Sequence, residues 1–190
     1  MALIPSTMLE LGTALPPFEL LDTVSGEQVG SRTFSGQPLL VAVICNHCPY
    51  VKRIKAGLAE LGRSCREMGV GMVAVSANDP QQQPADSPSA MAEDAARFGY
   101  VFPYLFDEDQ TLARALRAAC TPEFYLFDGG HRLVYRGQMD DARPNNDHPV
   151  TAADVRAAID AVRAGGTPNA EQRPSIGCSI KWKPGSEPDY

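Results

Sequence analysis

The chain has 190 residues, a length that suits one domain with short appendages and a sizeable core. Hydrophobic residues make up 44% of it and charged residues 21%, as in ordinary globular proteins. The net charge of −6 argues against a nucleic-acid partner, and no apolar run approaches membrane-spanning length. The N-terminus lacks the features of a secretory signal, and five cysteines do not resemble a secreted disulfide framework. We therefore expect a cytoplasmic protein without nucleic-acid or membrane partners.

Three segments are expected along the chain. Residues 1–13 form a lead-in, residues 14–164 form the domain, and residues 165–190 form a C-terminal tail. The tail is rich in proline, glycine and charge, but it carries Cys178 and the single tryptophan, Trp182. We expect it to dock on the domain for that reason.

The domain is predicted to open with a β-hairpin, whose strands lie at 18–21 and around 28–29. The unbroken apolar run 39–44 is typical of a strand that is buried on both faces. Apolar residues then recur at steps of three and four over 51–68, which predicts an amphipathic helix ending at a glycine. A second apolar run, 70–75, completes a βαβ unit with a parallel strand pair.

The rest of the domain alternates helices and strands. A loop with three prolines, 78–89, leads to a helix that begins after Ser87 and ends at Gly99. A strand is expected next at Tyr104–Phe106, where Pro103 suggests a sheet edge or the first residue of the strand. A short helix capped by Asp109 and a β-hairpin around Asp128-Gly129-Gly130 follow. A last helix begins with a capping box at Thr151–Asp154. The sequence thus predicts an α/β fold with a mixed sheet.

The central strand ends in a C-x-x-C motif, Cys45-Asn46-His47-Cys48, directly before the first helix. Unpaired N–H groups and the positive end of the helix dipole favour an anion there, so a thiolate is stabilised. A cysteine in such a place titrates below its free value of about 8.5, and the thiolate is the nucleophile. Protonated His47 would add a second positive neighbour. The motif therefore offers an activated thiol and a partner that can close a disulfide.

Other interpretations of the motif are weaker. A structural zinc site needs four ligands, and the chain has no second C-x-x-C or H-x-x-x-H pair. His47 could also be a mere spacer. Its replacement by alanine tests this, because a tuning role predicts a higher nucleophile pKa and a lower reduction potential.

The order of elements, with C-x-x-C at the first strand–helix junction and Thr121-Pro122 before the later hairpin, resembles the thioredoxin fold. The N-terminal hairpin and an extra helix make it similar to the redoxin or peroxiredoxin-like branch, the alkyl hydroperoxide reductase/thiol-specific antioxidant family. Five segments further resemble a group of bacterial thioredoxin-family proteins, namely Cys45–Val51, Ser76–Asp79, Ala119–Asp128, Leu133–Pro144 and Ile176–Lys183. The resemblance implies a redox-active cysteine centre, no cofactor or metal ion, and a cis Thr121–Pro122 bond in a loop that faces the motif.

The sequence departs from both relatives at the motif. Peroxiredoxins carry Thr or Ser three residues before the peroxidatic cysteine, whereas Ala42 and Cys45 stand at those positions here. Thioredoxins carry a buried Asp in the preceding strand, and 39–44 has no ionisable residue. Thioredoxin-like logic makes Cys45 the exposed nucleophile and Cys48 its resolver, and we favour it because the motif follows the dithiol pattern. Pro49 would place Cys48 at the helix N-cap, which keeps Cys48 open as the attacking residue.

Three functions follow from these residues. The first is a thiol–disulfide oxidoreductase, which acts on a protein or small-molecule disulfide and is recycled by an unidentified cellular reductant. The second is a thiol peroxidase with antioxidant activity, in which a hydroperoxide converts one cysteine to a sulfenic acid. The third is a carrier of a soft metal ion such as Cu(I), bound by the motif cysteines with His47 or Cys120.

The remaining cysteines receive separate predictions. Cys65 lies on the apolar stripe of the first helix, so we expect it to be buried and inert. Cys120 directly precedes Thr121-Pro122, so the resemblance places it near the dithiol, where it could trap an oxidised cysteine or merely fill the core. The loop could also present the backbone of Thr121 as an open edge for an extended substrate. Cys178 is the weaker candidate for a third thiol, because its tail has no predicted docking place.

Overall fold

The computed structural model describes residues 3–190 and has ten strands and four α-helices within that range. The strands are β1 Leu3–Pro5, β2 Glu19–Asp22, β3 Gln28–Gly30, β4 Leu39–Val43, β5 Gly71–Ser76, β6 Tyr104–Phe106, β7 Cys120–Thr121, β8 Glu123–Phe127, β9 Leu133–Gly137 and β10 Ile176–Ser179. The helices are α1 Pro49–Glu67, α2 Pro88–Phe98, α3 Thr111–Ala115 and α4 Ala153–Arg163. None of the helices described in residues 3–190 combines the length and apolarity that a membrane crossing requires.

Seven strands form the central mixed sheet, in the order β3-β2-β6-β5-β4-β8-β9. The predicted βαβ unit is confirmed, since β4 and β5 pair in parallel with Val41 opposite Val73. Strand β8 pairs antiparallel with the other side of β4. All five residues of β4 are buried because apolar clusters cover both faces of the sheet, as the uninterrupted apolar run predicts. This is the helix-flanked mixed sheet expected of a thioredoxin-like fold.

Several predicted helix signals are confirmed, while others act through different residues. Ser87 caps α2 by accepting a hydrogen bond from the Ala90 N–H, and Gly99 ends that helix with φ of 67°. The predicted Asp109 cap of α3 is wrong. Asp107 accepts the N–H groups of Leu112 and Ala113 instead, because the chain turns two residues earlier.

The predicted capping box of α4 is also wrong. The N-cap residue is Ala152, whose side chain makes no cap, while Asp140 accepts the N–H groups of both Thr151 and Ala152. Strand β6, preceded by Pro103, is not an edge strand, since it lies between β2 and β5. A carboxylate or strand partner distant in sequence decides both positions, so local patterns could not predict them.

A second, three-stranded sheet joins the two ends of the chain to the domain, in the order β1-β10-β7. Strand β10, from the C-terminal tail, lies antiparallel between β1 and β7. Residue Leu3 is opposite Cys178 in one pairing, and Thr121 is opposite Cys178 in the other. Further along the tail, Trp182 packs against the apolar cluster that contains Leu116. The tail is thus built into the domain beside the loop of Thr121.

Candidate active site

The C-x-x-C motif occupies the short connection between β4 and α1. Cys48 is the N-cap residue of α1, with extended backbone, and Pro49 takes the first helical position. Both Cys45 and Cys48 are 0% exposed. The expectation that Cys45 is an exposed nucleophile is therefore wrong in that respect, because the C-terminal tail packs over this end of the sheet.

Three thiols meet at the start of α1. The Sγ atoms of Cys48 and Cys178 are 2.8 Å apart, although the residues are 130 positions apart in sequence. Cys48 Sγ also lies 3.2 Å from the carbonyl oxygen of Thr121, and Cys45 Sγ lies 3.3 Å from the Thr121 hydroxyl. Cys48 is thus the sulfur at the centre, with a cysteine of the motif on one side and a cysteine of the tail on the other.

The surroundings of Cys48 favour its thiolate. The largest cause is a hydrogen bond from the Cys45 thiol, which lowers the pKa of Cys48. Burial acts in the opposite direction, but a second hydrogen bond, from Cys178, also lowers the pKa. The backbone N–H groups of Val51, in the first turn of α1, and of Cys178 add to the effect. Together they lower the pKa of Cys48 well below the free value, to about 4. Cys48 is therefore ionised at neutral pH.

The two neighbouring thiols behave in the opposite way. Burial raises the pKa of Cys45, and the hydrogen bond that it donates to Cys48 and the charge of Asp86 raise it further. Burial and the contact with Cys48 raise the pKa of Cys178 to about 12. The group of three sulfurs therefore carries one negative charge, which resides on Cys48.

The loop beside the dithiol has the geometry that the resemblance implied. The Thr121–Pro122 peptide bond is cis, and Thr121 contacts both motif cysteines. The expected open edge at Thr121 is wrong, however, because the chain's own strand β10 already pairs there. Gly177 allows this approach, since a Cβ on it would lie 2.0 Å from the Thr121 carbonyl oxygen.

The structure separates the roles that were open for the other cysteines. Cys65 is buried in the core on α1, as predicted, and burial raises its pKa to about 11. Cys120 is also fully buried, and its Sγ lies 3.9 Å from a carboxylate oxygen of Glu123. Burial and that carboxylate raise the pKa of Cys120. Cys178, which was ranked below Cys120 as a third thiol, is the one that contacts Cys48.

Glu123 is a buried carboxyl group directly after the cis proline. It is 0% exposed, and its Oε2 accepts the N–H of Ala119 at 3.1 Å. Burial raises its pKa from 4.5 to about 7. Sequence analysis did not single it out, although a glutamate inside an otherwise apolar strand segment, Glu123–Phe127, was a visible signal.

His47 points at Asp86, a carboxylate that sequence analysis also missed. The two side chains form a 2.6 Å hydrogen bond, and Asp86 is 0% exposed. Asp86 also accepts the backbone N–H groups of Asn46 and His47 and the side-chain amide of Asn78. Asn78 in turn accepts the N–H of Lys181 in the tail. This network fixes the motif loop, the proline-rich loop and the tail to one another.

One set of side chains has the spacing of a metal site. The ligand atoms of Cys45, His47 and Asp86 lie within 4.8 Å of one another. His47 and Asp86 already satisfy each other, and both oxygens of Asp86 accept hydrogen bonds from neighbouring N–H groups. A metal ion would have to break the His47–Asp86 pair and remove a proton from Cys45, whose pKa is raised. The set therefore fits a structural hydrogen-bond network better than a metal centre.

The chain matches the model of a known protein family. The model of the AhpC/TSA family matches residues 11–136, which include the N-terminal hairpin, the C-x-x-C motif and the cis proline. The chain belongs to the AhpC/TSA family. The matched residues end before the tail and so do not include Cys178. A search of curated proteins gives no match.

Two solved structures are similar over almost the whole chain. An uncharacterized conserved protein from Geobacillus kaustophilus is 47% identical, with a TM-score of 0.94 over 97% of this chain and 98% of its own. A hypothetical protein from Sinorhizobium meliloti 1021 is 43% identical, with a TM-score of 0.92 over 95% and 99%. The thioredoxin domain of a thiol-disulfide oxidoreductase from Bacteroides vulgatus is 15% identical, with a TM-score of 0.58 over 70% and 91%. That last similarity shows the shared thioredoxin-like fold.

Proposed function

We propose that this protein is a thiol–disulfide oxidoreductase in which Cys48 is the nucleophile. The observation that carries the proposal is the charge distribution over the five cysteines. The pKa of Cys48 is lowered to about 4, whereas the pKa values of Cys45, Cys65, Cys120 and Cys178 are all raised. Since the thiolate is the reactive form, this supports Cys48 over Cys45, the residue that the sequence pattern favours.

The reaction is two successive thiol–disulfide exchanges. The Cys48 thiolate attacks one sulfur of a substrate disulfide, forms a mixed disulfide, and releases the other substrate sulfur as a thiolate. A neighbouring protein thiol then attacks Cys48 Sγ, closes an intramolecular disulfide, and releases the second substrate thiolate. Two electrons pass from the protein to the substrate, and the protein's disulfide is afterwards reduced by a cellular dithiol. We place this reaction in the cytoplasm.

The first exchange prepares the second. The contact with ionised Cys48 contributes to the raised pKa values of both Cys45 and Cys178. Once Cys48 carries a mixed disulfide, its negative charge is gone and those pKa values fall. The resolving thiol then gives its proton to the departing substrate thiolate. The site therefore needs no carboxylate in β4 to accept that proton.

We take a small cleft beside the start of α1 as the route of approach. Its lining includes Tyr50 and Ile54 from the start of α1, the cis Pro122, and Ile176 of β10. Asp140 and Arg143 also line it, so the two charged side chains are of opposite sign. The mainly apolar lining favours a disulfide carried by an apolar peptide or small molecule. Because the sulfurs themselves are buried, attack requires a local opening of the site.

Turnover assays on the full chain test the proposal. The purified protein should reduce the disulfides of insulin in the presence of a dithiol reductant, and Cys48→Ser should lose that activity. Cys65→Ala is the matched control, because it removes a buried thiol that lies on the same helix outside the site. Insulin reduction by Cys48→Ser at the wild-type rate would refute the assignment.

A peroxidase function is the second candidate, and the position of Cys48 favours it. A thiolate directly before a helix-starting proline, with the Val51 N–H nearby, can also attack a peroxide oxygen. Cys48 would become a sulfenic acid with release of the alcohol or water. Hydrogen peroxide consumption and Cu(I) titration on the same preparation discriminate among reductase, peroxidase and metal carrier. Rapid peroxide turnover without insulin reduction would replace the first proposal by the second.

A further inference from the structure

The C-terminal tail places a third cysteine in the site by a defined route. Strand β10 pairs with β7, which sets Cys178 opposite Thr121 in register. Beyond the strand, the Ile180 N–H donates to the Ala119 carbonyl, and the Lys181 N–H donates to Asn78. Gly177 brings the two strands so close that no side chain fits between them. Several independent contacts thus hold Cys178 where it is.

The position of Cys178 relative to Cys48 is that of a reaction partner. Their Sγ atoms are 2.8 Å apart, whereas the Cys120 sulfur contacts Glu123 and the Pro122 carbonyl. Cys178 is itself 3% exposed, so the pair is shielded from other thiols. A mixed disulfide at Cys48 would therefore have Cys178 beside it.

We propose that Cys178 is a resolving cysteine, which attacks the mixed disulfide at Cys48 and closes a Cys48–Cys178 disulfide. The inference rests on the proposed function in one respect, namely that Cys48 is the residue that attacks the substrate disulfide. The Cys178 sulfur forms a bond to Cys48 Sγ, the bond from Cys48 to the substrate sulfur breaks, and the departing substrate thiolate takes the Cys178 proton. The protein dithiol is oxidised by two electrons and the substrate disulfide is reduced to two thiols.

This step also gives the tail a chemical role. The Cys48–Cys178 disulfide ties β10 to the start of α1, whereas a Cys45–Cys48 disulfide would leave β10 without a covalent link. Cys45 can reopen the tie by attacking Cys48 Sγ, which releases the Cys178 thiol and leaves the Cys45–Cys48 disulfide for the external reductant. Cys178 thus adds an internal exchange step to a C-x-x-C site.

The deciding experiment uses the full chain with Cys45→Ser, which removes the competing motif thiol. The reduced variant receives one equivalent of an aromatic disulfide, 5,5′-dithiobis(2-nitrobenzoate), and the product is analysed by intact mass and non-reducing peptide mapping. The expected result is a protein without retained aromatic adduct and with a Cys48–Cys178 disulfide. An adduct that remains on Cys48, with Cys178 still open to alkylation after denaturation, overturns the proposal.

Two double variants sharpen the result. Cys45→Ser/Cys178→Ser should retain the adduct on Cys48, while Cys45→Ser/Cys120→Ser should lose it as Cys45→Ser does. Loss of the adduct from both would assign resolution to another thiol and overturn the proposal. Should the Cys178→Ser substitution prevent folding, the mapping of Cys45→Ser decides alone.

Failure of this inference can be distinguished from failure of the proposed function. If wild-type protein reduces insulin but Cys45→Ser keeps its adduct, the function stands and the role of Cys178 is refuted. If insulin is not reduced but Cys45→Ser forms the Cys48–Cys178 disulfide, the resolving step stands and the reductase function is refuted.

Discussion

Two regions bring cysteines to the same point by different means. At the start of α1, the sequence itself places Cys45 and Cys48 together, because a buried strand leads directly into a helix. In β10, Cys178 reaches the same point only through strand pairing with β7, across 130 residues. The first arrangement depends on local structure and the second on long-range packing.

The difference between the regions shows how reactivity is divided. The start of α1 supplies the Cys45 thiol and backbone N–H groups that stabilise a thiolate, which is why we propose Cys48 as the attacking residue. Strand β10 covers that thiolate and supplies a protonated thiol, so Cys178 is suited to resolve rather than to attack. The local region would therefore govern the first exchange, and the long-range region would govern both access and the second exchange.

The largest expected effect comes from breaking the local region. Cys48→Ser should abolish formation of any mixed disulfide at the site, because no other cysteine has a lowered pKa. Cys45→Ser should still form the mixed disulfide and fail only in later turnover. Release of the aromatic thiolate from an aromatic disulfide measures both, whether or not the adduct is afterwards resolved, and mass spectrometry identifies the product. If Cys45→Ser also released no aromatic thiolate, Cys45 and not Cys48 would be the attacking residue.

Sequence patterns predict most of the local region and little of the long-range one. The buried strand, the amphipathic helix and the parallel partner strand followed from apolar spacing, and all three are present. The dithiol position followed from the same elements. Exposure of Cys45 was predicted wrongly, because it depends on what covers the motif rather than on the motif itself.

Most of the parts that could not be predicted share one physical cause. Asp86 reaches His47 across 39 residues, and Cys178 reaches Cys48 across 130, through contacts that have no periodic signature. The cap by Asp140 was missed for the same reason, since it bonds residues 11 and 12 positions away. The cap by Asp107 is local and was missed because Asp109 stood nearer the expected helix start. Gly177 was the visible clue to the tail, because a glycine in a short strand marks close backbone approach.

The next largest effect concerns the carboxyl group that supports the β7 edge. Burial raises the pKa of Glu123 from 4.5 to about 7, so the folded protein binds this proton more tightly than the unfolded chain. Stability should therefore fall as pH rises from about 4.5 through 7, by up to about 3 kcal/mol in total. Glu123→Gln should remove this part of the pH dependence, as measured by urea unfolding over that pH range. An identical pH profile for wild type and variant would contradict it.

A smaller loss of stability is expected from separating the two regions. In Gly177→Ala, the new Cβ would lie 2.0 Å from the Thr121 carbonyl oxygen, so β10 must shift away from β7. We expect a cost of about 1–3 kcal/mol in unfolding free energy and faster alkylation of Cys45 and Cys48. Urea unfolding and thiol labelling measure the two effects.

Gly129→Ala is the matched control, because its Cβ would meet the nearest atom at 3.4 Å, an ordinary contact. It should change neither the unfolding free energy nor the labelling rate of the motif cysteines. Unchanged labelling in Gly177→Ala would mean that β10 does not shield the site, and the comparison between the two regions would lose its basis.

The smallest expected effect is that of His47→Ala on Cys48. Sequence reasoning predicts a higher nucleophile pKa, but the His47 side chain is directed at Asp86, 2.6 Å away. Asp86 would keep the N–H of Asn46 and the Asn78 amide as partners, so the loop should hold. Asp86 would lose its His47 hydrogen-bond partner, and because the charge of Asp86 raises the pKa of Cys45, the pKa of Cys45 should rise further. The Cys48 thiolate is stabilised by thiols and backbone N–H groups, so the pKa of Cys48 should change by less than about one unit.

Thiolate absorbance as a function of pH measures the pKa of Cys48. It is recorded for His47→Ala in two backgrounds, Cys45→Ser and Cys178→Ser, so that each neighbouring thiol is removed in turn. Asp86→Asn is the matched comparison, because it removes the charge instead of its partner and should lower the pKa of Cys45. Opposite shifts in the pKa of Cys45 in His47→Ala and Asp86→Asn would show that His47 acts through Asp86. A rise of more than about one unit at Cys48 in His47→Ala would instead establish direct tuning of the nucleophile by the histidine, as the motif alone predicts.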